Sequence, residues 1–323
     1  MSSAPLPGKM PGDRLKLLVT GAGGLLGSAV AKIGSDRHTV FSGFRRRVPK
    51  FGKPVAMDLL NLERIQRVVL TFKPDAILHA AALTDVDRCE TEKRVATRVN
   101  YEATKTIAVA AARTGAYLLY VSTDAVFDGE KGMYRETDRP NPINHYGLTK
   151  FMGEEAVGAA GGKSCIARSS VIYGSKPAAL KDNFAVWLIE KLTAGQSANI
   201  VTDQFVSPSL NSNVAEMALE LTERSLTGTY HASGASRVSR YDFAEALAAT
   251  FGLDASLIRA VRMEDMKWTA RRPRDSSLDV RKATSSLNHV PLLLGDSLVR
   301  LKTEYRRAGR IGRRQTRGSA TGS

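Results

Sequence analysis

Tyr146 and Lys150 stand four residues apart in the segment NHYGLTK, Asn144–Lys150. On a helix that spacing puts both side chains on one face, within reach of each other. A phenol with an ordinary pKa of about 10 is a poor acid–base catalyst at neutral pH. An ammonium one turn away favours phenolate and draws the group towards a working range. Tyrosine and lysine also meet this way on ordinary solvated helices, so the spacing alone leaves both readings open.

The elements that would have to position such a pair are legible upstream. LKLLVT (Leu15–Thr20) reads as a buried strand, followed at once by the glycine turn TGAGGLLG and a helix from about Leu25. Gly21, Gly24 and Gly27 form G-x-x-G-x-x-G. Small residues there permit a tight turn, close backbone approach to a pyrophosphate and close helix–strand packing. The N–H groups at the helix start, around Leu25 and Leu26, and the positive end of the helix dipole then suit an anion. Placed between a strand and a helix, the turn is a dinucleotide-binding signal; alone it would be a tight turn.

HTVFSG (His38–Gly43) reads as the second strand, and it ends in SGFRRRVPKF. An NAD-preferring site carries a carboxylate on the ribose 2′-OH at this point. Arg45, Arg46 and Arg47 put cations there instead, and an arginine fork matches a phosphate. The expectation is NADP(H) as preferred cofactor, with NAD(H) also accommodated; the competing reading is a solvated basic loop.

Farther on, NLERIQRVVLTF reads as helix, PDAILHAAA (Pro74–Ala82) as strand then loop, and Glu90–Gly115 as a long helix stopped by glycine. AYLLYVST is the next strand, the helix opened by Tyr146 runs to about Gly158, and KSCIARSSVIYG supplies another strand. Alternating strands and helices imply an α/β fold, a Rossmann-type doubly wound parallel sheet. Beyond Gly174 the alternation loosens, which suggests a smaller interleaved C-terminal lobe. The domain reading is a flexible leader at 1–14, a dinucleotide-binding domain at 15–174, a mostly substrate-binding lobe at 175–300 and a basic disordered tail at 301–323. Elements from about 209–250 are expected to return to the first domain.

At 323 residues, 43% hydrophobic and 24% charged, the composition is that of an ordinary globular enzyme. No apolar run approaches a membrane span, and the leader has no apolar core of a secretory signal. Two cysteines, Cys89 and Cys165, lack metal-ligand spacing; no metal is expected, and a reducing, cytoplasmic setting fits. The net charge of +15 hints at nucleic acid, but +7 of it lies in residues 300–323. Such a terminus reads as a solvated tail, and no nucleic-acid-binding signature accompanies it.

Taken together, TGAGGLLG, HAAALTDVDRCE, YVSTDAVFDG, YGLTK, DQFVSPS and RRPRDSSLD resemble, in this order, the extended short-chain dehydrogenases/reductases. Within them the chain resembles the dTDP-4-dehydrorhamnose reductase (RmlD-like) family over roughly residues 15–300. GFRRRVPKF is also similar to the regulatory beta subunit of methionine adenosyltransferase, a non-catalytic relative. The resemblance implies a catalytic set of Thr123 on the substrate carbonyl, Tyr146 as proton donor and Lys150 as its partner and ribose ligand. It further implies Asp58 and Leu59 beside an adenine ring, and Ala80, Ala81 and Ala82 along the cofactor ribose. His79 there is either part of that loop or a packed core histidine, and Asn100 is a structural asparagine. Thr84, Asp85, Asp124, Gln204 and Arg272 are the substrate-side candidates, Arg272 towards a nucleotide diphosphate.

The implied function is NADPH-dependent reduction of a nucleotide-linked 4-keto-6-deoxysugar, by a homodimer. The alternatives are an NADP-binding regulatory subunit of a methionine adenosyltransferase-type partner, or a nucleotide-sugar epimerase or dehydratase. Ala125, Val171 and the stretch DQFVSPS depart from the family pattern on the substrate side, which leaves the sugar open.

Overall fold

The computed structural model describes residues 13–175 and 183–318. The first half lays down six strands: β1 (Lys16–Thr20), β2 (Thr39–Phe44), β3 (Lys53–Ala56), β4 (Ala76–His79), β5 (Tyr117–Thr123) and β6 (Ser164–Ser169). Between them run helices α1 (Leu25–Arg37), α2 (Leu62–Phe72), α3 (Val86–Thr91), α4 (Lys93–Thr97), α5 (Ala103–Thr114) and α6 (His145–Ala159). The second half contributes β7 (Ile172–Tyr173), α7 (Phe184–Thr193), β8 (Ala198–Val201), β9 (Phe205–Val206), β10 (Ser209–Leu210), α8 (Asn211–Glu223) and β11 (Gly228–His231). It closes with β12 (Val238–Ser239), α9 (Arg240–Phe251), β13 (Ile258–Val261), α10 (Arg281–Ser286) and α11 (Leu294–Gly318).

Seven strands form one parallel sheet in the order β11-β6-β5-β4-β1-β2-β3. Its centre is apolar on both faces: Leu17, Leu18 and Val19 of β1 and Ile77 and Leu78 of β4 are fully buried. Parallel sheets covered on both sides require such continuous runs. Each such side chain contributes about 1.5–3 kcal/mol relative to exposure. Leu17 and Val19 pack with residues of α1 and α8 on one face, and Leu18 with residues of α2 and α5 on the other. The chain reverses its direction of travel across the sheet between β1 and β4. A crevice opens at the carboxyl ends of strands at such a reversal. The glycine turn after β1, the arginines after β2, the alanines after β4 and Thr123 at the end of β5 are all brought to that edge.

A separate core of Tyr173, Leu188, Ile200, Phe243, Leu247 and Leu298 builds the smaller lobe from α7, β8, α9 and α11. The doubly wound fold with an interleaved lobe is as expected from the sequence. The return to the sheet is narrower than expected, however: α8 and β11 join it, whereas α9 belongs to the second core. The sequence reading also passed over β3. Its residues KPVA show the burial of an edge strand, with only Val55 buried.

The expected tail needs correction. Helix α11 continues from Leu294 to Gly318 without a break at 301. Leu294, Leu298 and Leu301 are buried, Tyr305 packs edge-on against Phe251, and Glu304 accepts from Ser212 at 2.8 Å. Apolar residues at i, i+4, i+7 and i+11 make one helical stripe, which the basic charge of the segment obscured. Residues 1–12 of the expected leader and 319–323 of the expected tail lie outside the described residues. Arg14 already bonds Ser35 at 3.3 Å.

Candidate active site

Helix α6 carries the opening pair, and its start is pinned from several directions. Asn144 caps it, accepting from Gly147 N at 2.8 Å while donating to the Arg271 carbonyl at 2.9 Å. His145 N donates to Glu90 at 3.0 Å. A Cβ on Gly147 would overlap the Ala125 carbonyl, so glycine lets the helix start press against the loop after β5. That approach brings the Tyr146 phenol close to the Thr123 hydroxyl, near enough for the hydroxyl to act on its titration.

Burial pushes the Tyr146 phenol above its ordinary value; the Thr123 contact opposes this, while Asp124 and Cys89 add to it. The expected lowering by Lys150 is not what the structure holds. The Lys150 ammonium donates to the Val121 carbonyl of β5 at 2.7 Å and lies 4.0 Å from the centre of the Tyr120 ring. Its own pKa is lowered to about 7 by burial, against the opposing charge of Glu154. Tyr146 is therefore a protonated acid at neutral pH, and Lys150 is a cation close to losing its proton.

Glu154, one turn beyond Lys150, is buried in a network with Arg168 at 2.6 and 2.9 Å and Ser122 at 2.5 Å. The bidentate pair ties α6 to β6 and β5 behind the catalytic face. Residues Arg98–Glu102 between α4 and α5 form a π-turn, a distortion that often accompanies functional sites. Asn100 within it accepts from Leu83 N at 2.8 Å and donates to Thr149 at 3.2 Å, so it braces the post-β4 loop against α6. It is structural, as expected.

On the cofactor side the glycine turn has the form its sequence requires. Gly24 N donates to the Gly21 carbonyl at 2.8 Å, and a Cβ on Gly27 would overlap that same carbonyl. No side chain caps α1, which leaves the first-turn N–H groups of Leu25, Leu26 and Gly27 at the crevice. Leu25 is half-buried and Leu26 packs in the core, so each serves such a site through its backbone. Arg45, Arg46 and Arg47 are exposed in the bend after β2. Their guanidinium groups make no hydrogen bond or ion pair among the described residues.

Asp58 accepts from Leu60 N at 3.0 Å, and Leu59 is buried beneath the same loop. Ala80, Ala81 and Ala82 are half-buried after β4, and Ala81 N donates to Thr20 at 3.2 Å. His79 is spent between Thr20 at 2.7 Å and Thr104 at 3.0 Å, and burial lowers its pKa to about 3. It is a neutral core histidine. An uncapped helix start behind a turn that tolerates no side chain, flanked by unengaged arginines, fits a phosphorylated dinucleotide.

The substrate-side candidates fare differently. Asp124 is buried and accepts from Thr123 at 3.0 Å and from Ser170 and Ser276 at 2.7 Å each. Burial raises its pKa and the three hydroxyls oppose the shift. Gln204 is buried, donating to Pro273 O at 3.3 Å. Arg272 pairs with Asp87 at 2.9 Å and donates to Ala270 O at 2.9 Å. Asp85 caps α3 by accepting from Arg88 N at 3.1 Å. Asp124, Gln204 and Arg272 thus hold neighbouring loops together and Asp85 caps its own helix in this structure; Thr84 alone of the five is exposed. The sequence reading missed Arg240 and the Glu154–Arg168 pair. Val171, flagged as a departure, adopts a φ of +39°, a strained conformation for a β-branched residue.

Among the described residues no group of three or more His, Cys, Asp or Glu converges for a metal, and no helix is long and apolar enough to cross a membrane.

The profile of the RmlD substrate binding domain matches residues 15–304. The chain belongs to that family. The chain is 36% identical over 291 residues to the probable low-salt glycan biosynthesis reductase of Haloferax volcanii, covering 89% of this chain and 97% of that protein. It is also 36% identical over 272 residues to methionine adenosyltransferase 2 subunit beta of Bos taurus, covering 82% and 80%. Among solved structures it superposes on the dTDP-4-dehydrorhamnose reductase of Bacillus anthracis in complex with NADP, with TM-score 0.82 and 29% identity, covering 90% of this chain and 100% of that one.

Proposed function

We propose that this chain reduces the 4-keto carbon of a nucleotide-linked 4-keto-6-deoxysugar with NADPH. The observation that carries the reading is the half-buried, protonated Tyr146 phenol beside Thr123, set on the same crevice as an uncapped helix start and unengaged arginines. The relatives named above, a reductase and an NADP-bound dTDP-4-dehydrorhamnose reductase, support it.

Leu25, Leu26 and Gly27 would hold the cofactor diphosphate through backbone N–H groups, and Arg45 and Arg46 the 2′-phosphate. Asp58 and Leu59 would flank the adenine, Ala80 to Ala82 the ribose, and Lys150 the nicotinamide ribose. Bound there, NADPH supplies a hydride. Tyr146 donates its proton to the keto oxygen as negative charge develops on it. Thr123 aligns the phenol, and its own proton is engaged by Asp124. Lys150, cationic below neutral pH and anchored on the Val121 carbonyl, would orient the nicotinamide ribose beside Tyr146. Glu154 and Arg168 fix the helix that carries both groups.

The test is NADPH oxidation by the purified chain against dTDP-linked 4-keto-6-deoxysugars, with product identified by mass. Stoichiometric oxidation with formation of the alcohol is expected. Absence of oxidation across the panel would overturn the reading.

The 36% identity to a methionine adenosyltransferase subunit favours a second reading, an NADP-binding regulatory subunit. It predicts cofactor binding without turnover, together with association with a methionine adenosyltransferase catalytic subunit in co-purification. A redox-neutral epimerase or dehydratase would convert the sugar with no net NADPH loss.

A further inference from the structure

Arg240 opens α9 and reaches back across the lobes. Its backbone N–H donates to the Gln204 carbonyl at 2.9 Å, and its Nε makes only a long contact of 3.4 Å to Gln204 Oε1. The guanidinium stacks over the Phe184 ring at 5.2 Å. Its Nη1 is enclosed and has no hydrogen-bond partner among the described residues. A guanidinium offers five donors and accepts nothing, so an enclosed, unpaired N–H there is a cost that a partner must relieve.

The surrounding charges do not relieve it. Asp124 acts on Arg240 from a distance, but its oxygens are taken by Thr123, Ser170 and Ser276. Arg272 opposes it as a second cation and already spends itself on Asp87. Asp203 faces Arg262 and Arg274, and Asp275 faces Arg237. Burial lowers the Arg240 pKa to about 10, so the group remains charged at neutral pH. A charged guanidinium with an enclosed, unpaired N–H group thus lies on the side of Asp124 and Gln204, its charge offset only at a distance by Asp124.

We propose that Arg240 is the anion anchor of the substrate site, its guanidinium fork taking the diphosphate of the nucleotide-linked ligand. The inference deepens the reductase reading by assigning the diphosphate to Arg240 in place of Arg272. A diphosphate offers paired oxygens at a spacing the fork matches.

The experiment is calorimetric titration of the full chain, saturated with NADP+, with dTDP, UDP, inorganic pyrophosphate and thymidine. Wild type and Arg240→Met are compared, with thermal melts of both. The anchor predicts that Arg240→Met weakens the better-bound of dTDP and UDP by about 30-fold. Thymidine and NADP+ binding should change less than about threefold. Should Arg240→Met fail to fold, Arg240→Lys, which keeps the charge and loses the fork, is expected to weaken the same nucleotide about fivefold.

The proposal is overturned if the folded variant binds the nucleotide as wild type does. It is equally overturned if thymidine weakens in parallel, or if wild type binds neither dTDP, UDP nor pyrophosphate. Arg240-dependent binding of dTDP by a protein that reduces no keto sugar would sink the reductase reading and leave the anchor standing.

Discussion

The two walls of the crevice are built on opposite plans. On the cofactor wall the conspicuous residues are left open: a helix start without a cap, a turn kept clear by Gly27, and three arginines in an exposed bend. On the substrate wall they are consumed. Asp124, Gln204 and Arg272 bond to neighbouring loops, while Arg240 beside them, which carries no motif, keeps an enclosed N–H group without a partner among the described residues. The lesson is that a residue type suited to a ligand is evidence of binding only where its own fold leaves it unpaired. Buried polar groups find partners as a rule, so the exceptions point to ligands better than the motifs do.

The sharpest way to break this contrast is at Tyr146, where the walls meet. Tyr146→Phe removes the proton donor and is expected to lower turnover about 10³-fold. Its NADPH affinity, measured by fluorescence titration, should stay within a few-fold of wild type. Turnover within tenfold of wild type would remove the acid role.

Next in size is the cofactor wall. Replacing Arg45 and Arg46 together by alanine should raise the NADPH dissociation constant at least tenfold and leave NADH nearly unchanged. Equal loss for both cofactors would mean that the bend serves the fold and leaves the 2′-phosphate unread.

On the substrate wall, Asp124→Asn tests the brace. Three hydroxyl donors lose part of their acceptor, so denaturant melts should show about 1–3 kcal/mol of destabilisation. The KM for the sugar should change less than threefold. A large rise in KM with unchanged stability would restore Asp124 as a ligand.

The smallest effect is the pH dependence set by Lys150. Its ammonium is placed to hold the nicotinamide ribose, and it loses a donor on deprotonation, so turnover should fall as pH rises through about 7. Stability should move the other way. The folded pKa is about 7 against an ordinary 10.5, so above pH 7 the unfolded chain binds the proton that the folded chain has released. Stability therefore rises with pH by about 1 kcal/mol per unit from this group. Measuring between pH 7 and 8.5 stays below the ordinary pKa of the buried thiols Cys89 and Cys165, whose raised values act in the opposite sense. Lys150→Met should flatten both slopes.

Much of the sheet could be read from residues alone. LKLLVT, AILH and AYLLYVST are apolar runs, and the glycines at 21, 24 and 27 mark a turn whose conformation is local. Gly115 stops α5 with a φ of +73°, as its position announced. What escaped was β3, a short edge strand with one buried residue, and the reach of α11, whose apolar stripe is diluted by arginine. The spacing of Tyr146 and Lys150 was legible too; that the lysine turns to Val121 and the phenol to Thr123 was not.

By itself, then, the sequence determined the order of strands and helices, the glycine turn and the candidates for acid and cation. Each depends on contacts within a few residues along the chain. Only the tertiary structure decided which charges are spent. Asp124 meets Ser276 across 152 positions, and Arg272 meets Asp87 across 185. Whether a polar side chain is a brace or a receptor depends on partners that distant in sequence, and the packing of the two lobes brings them together.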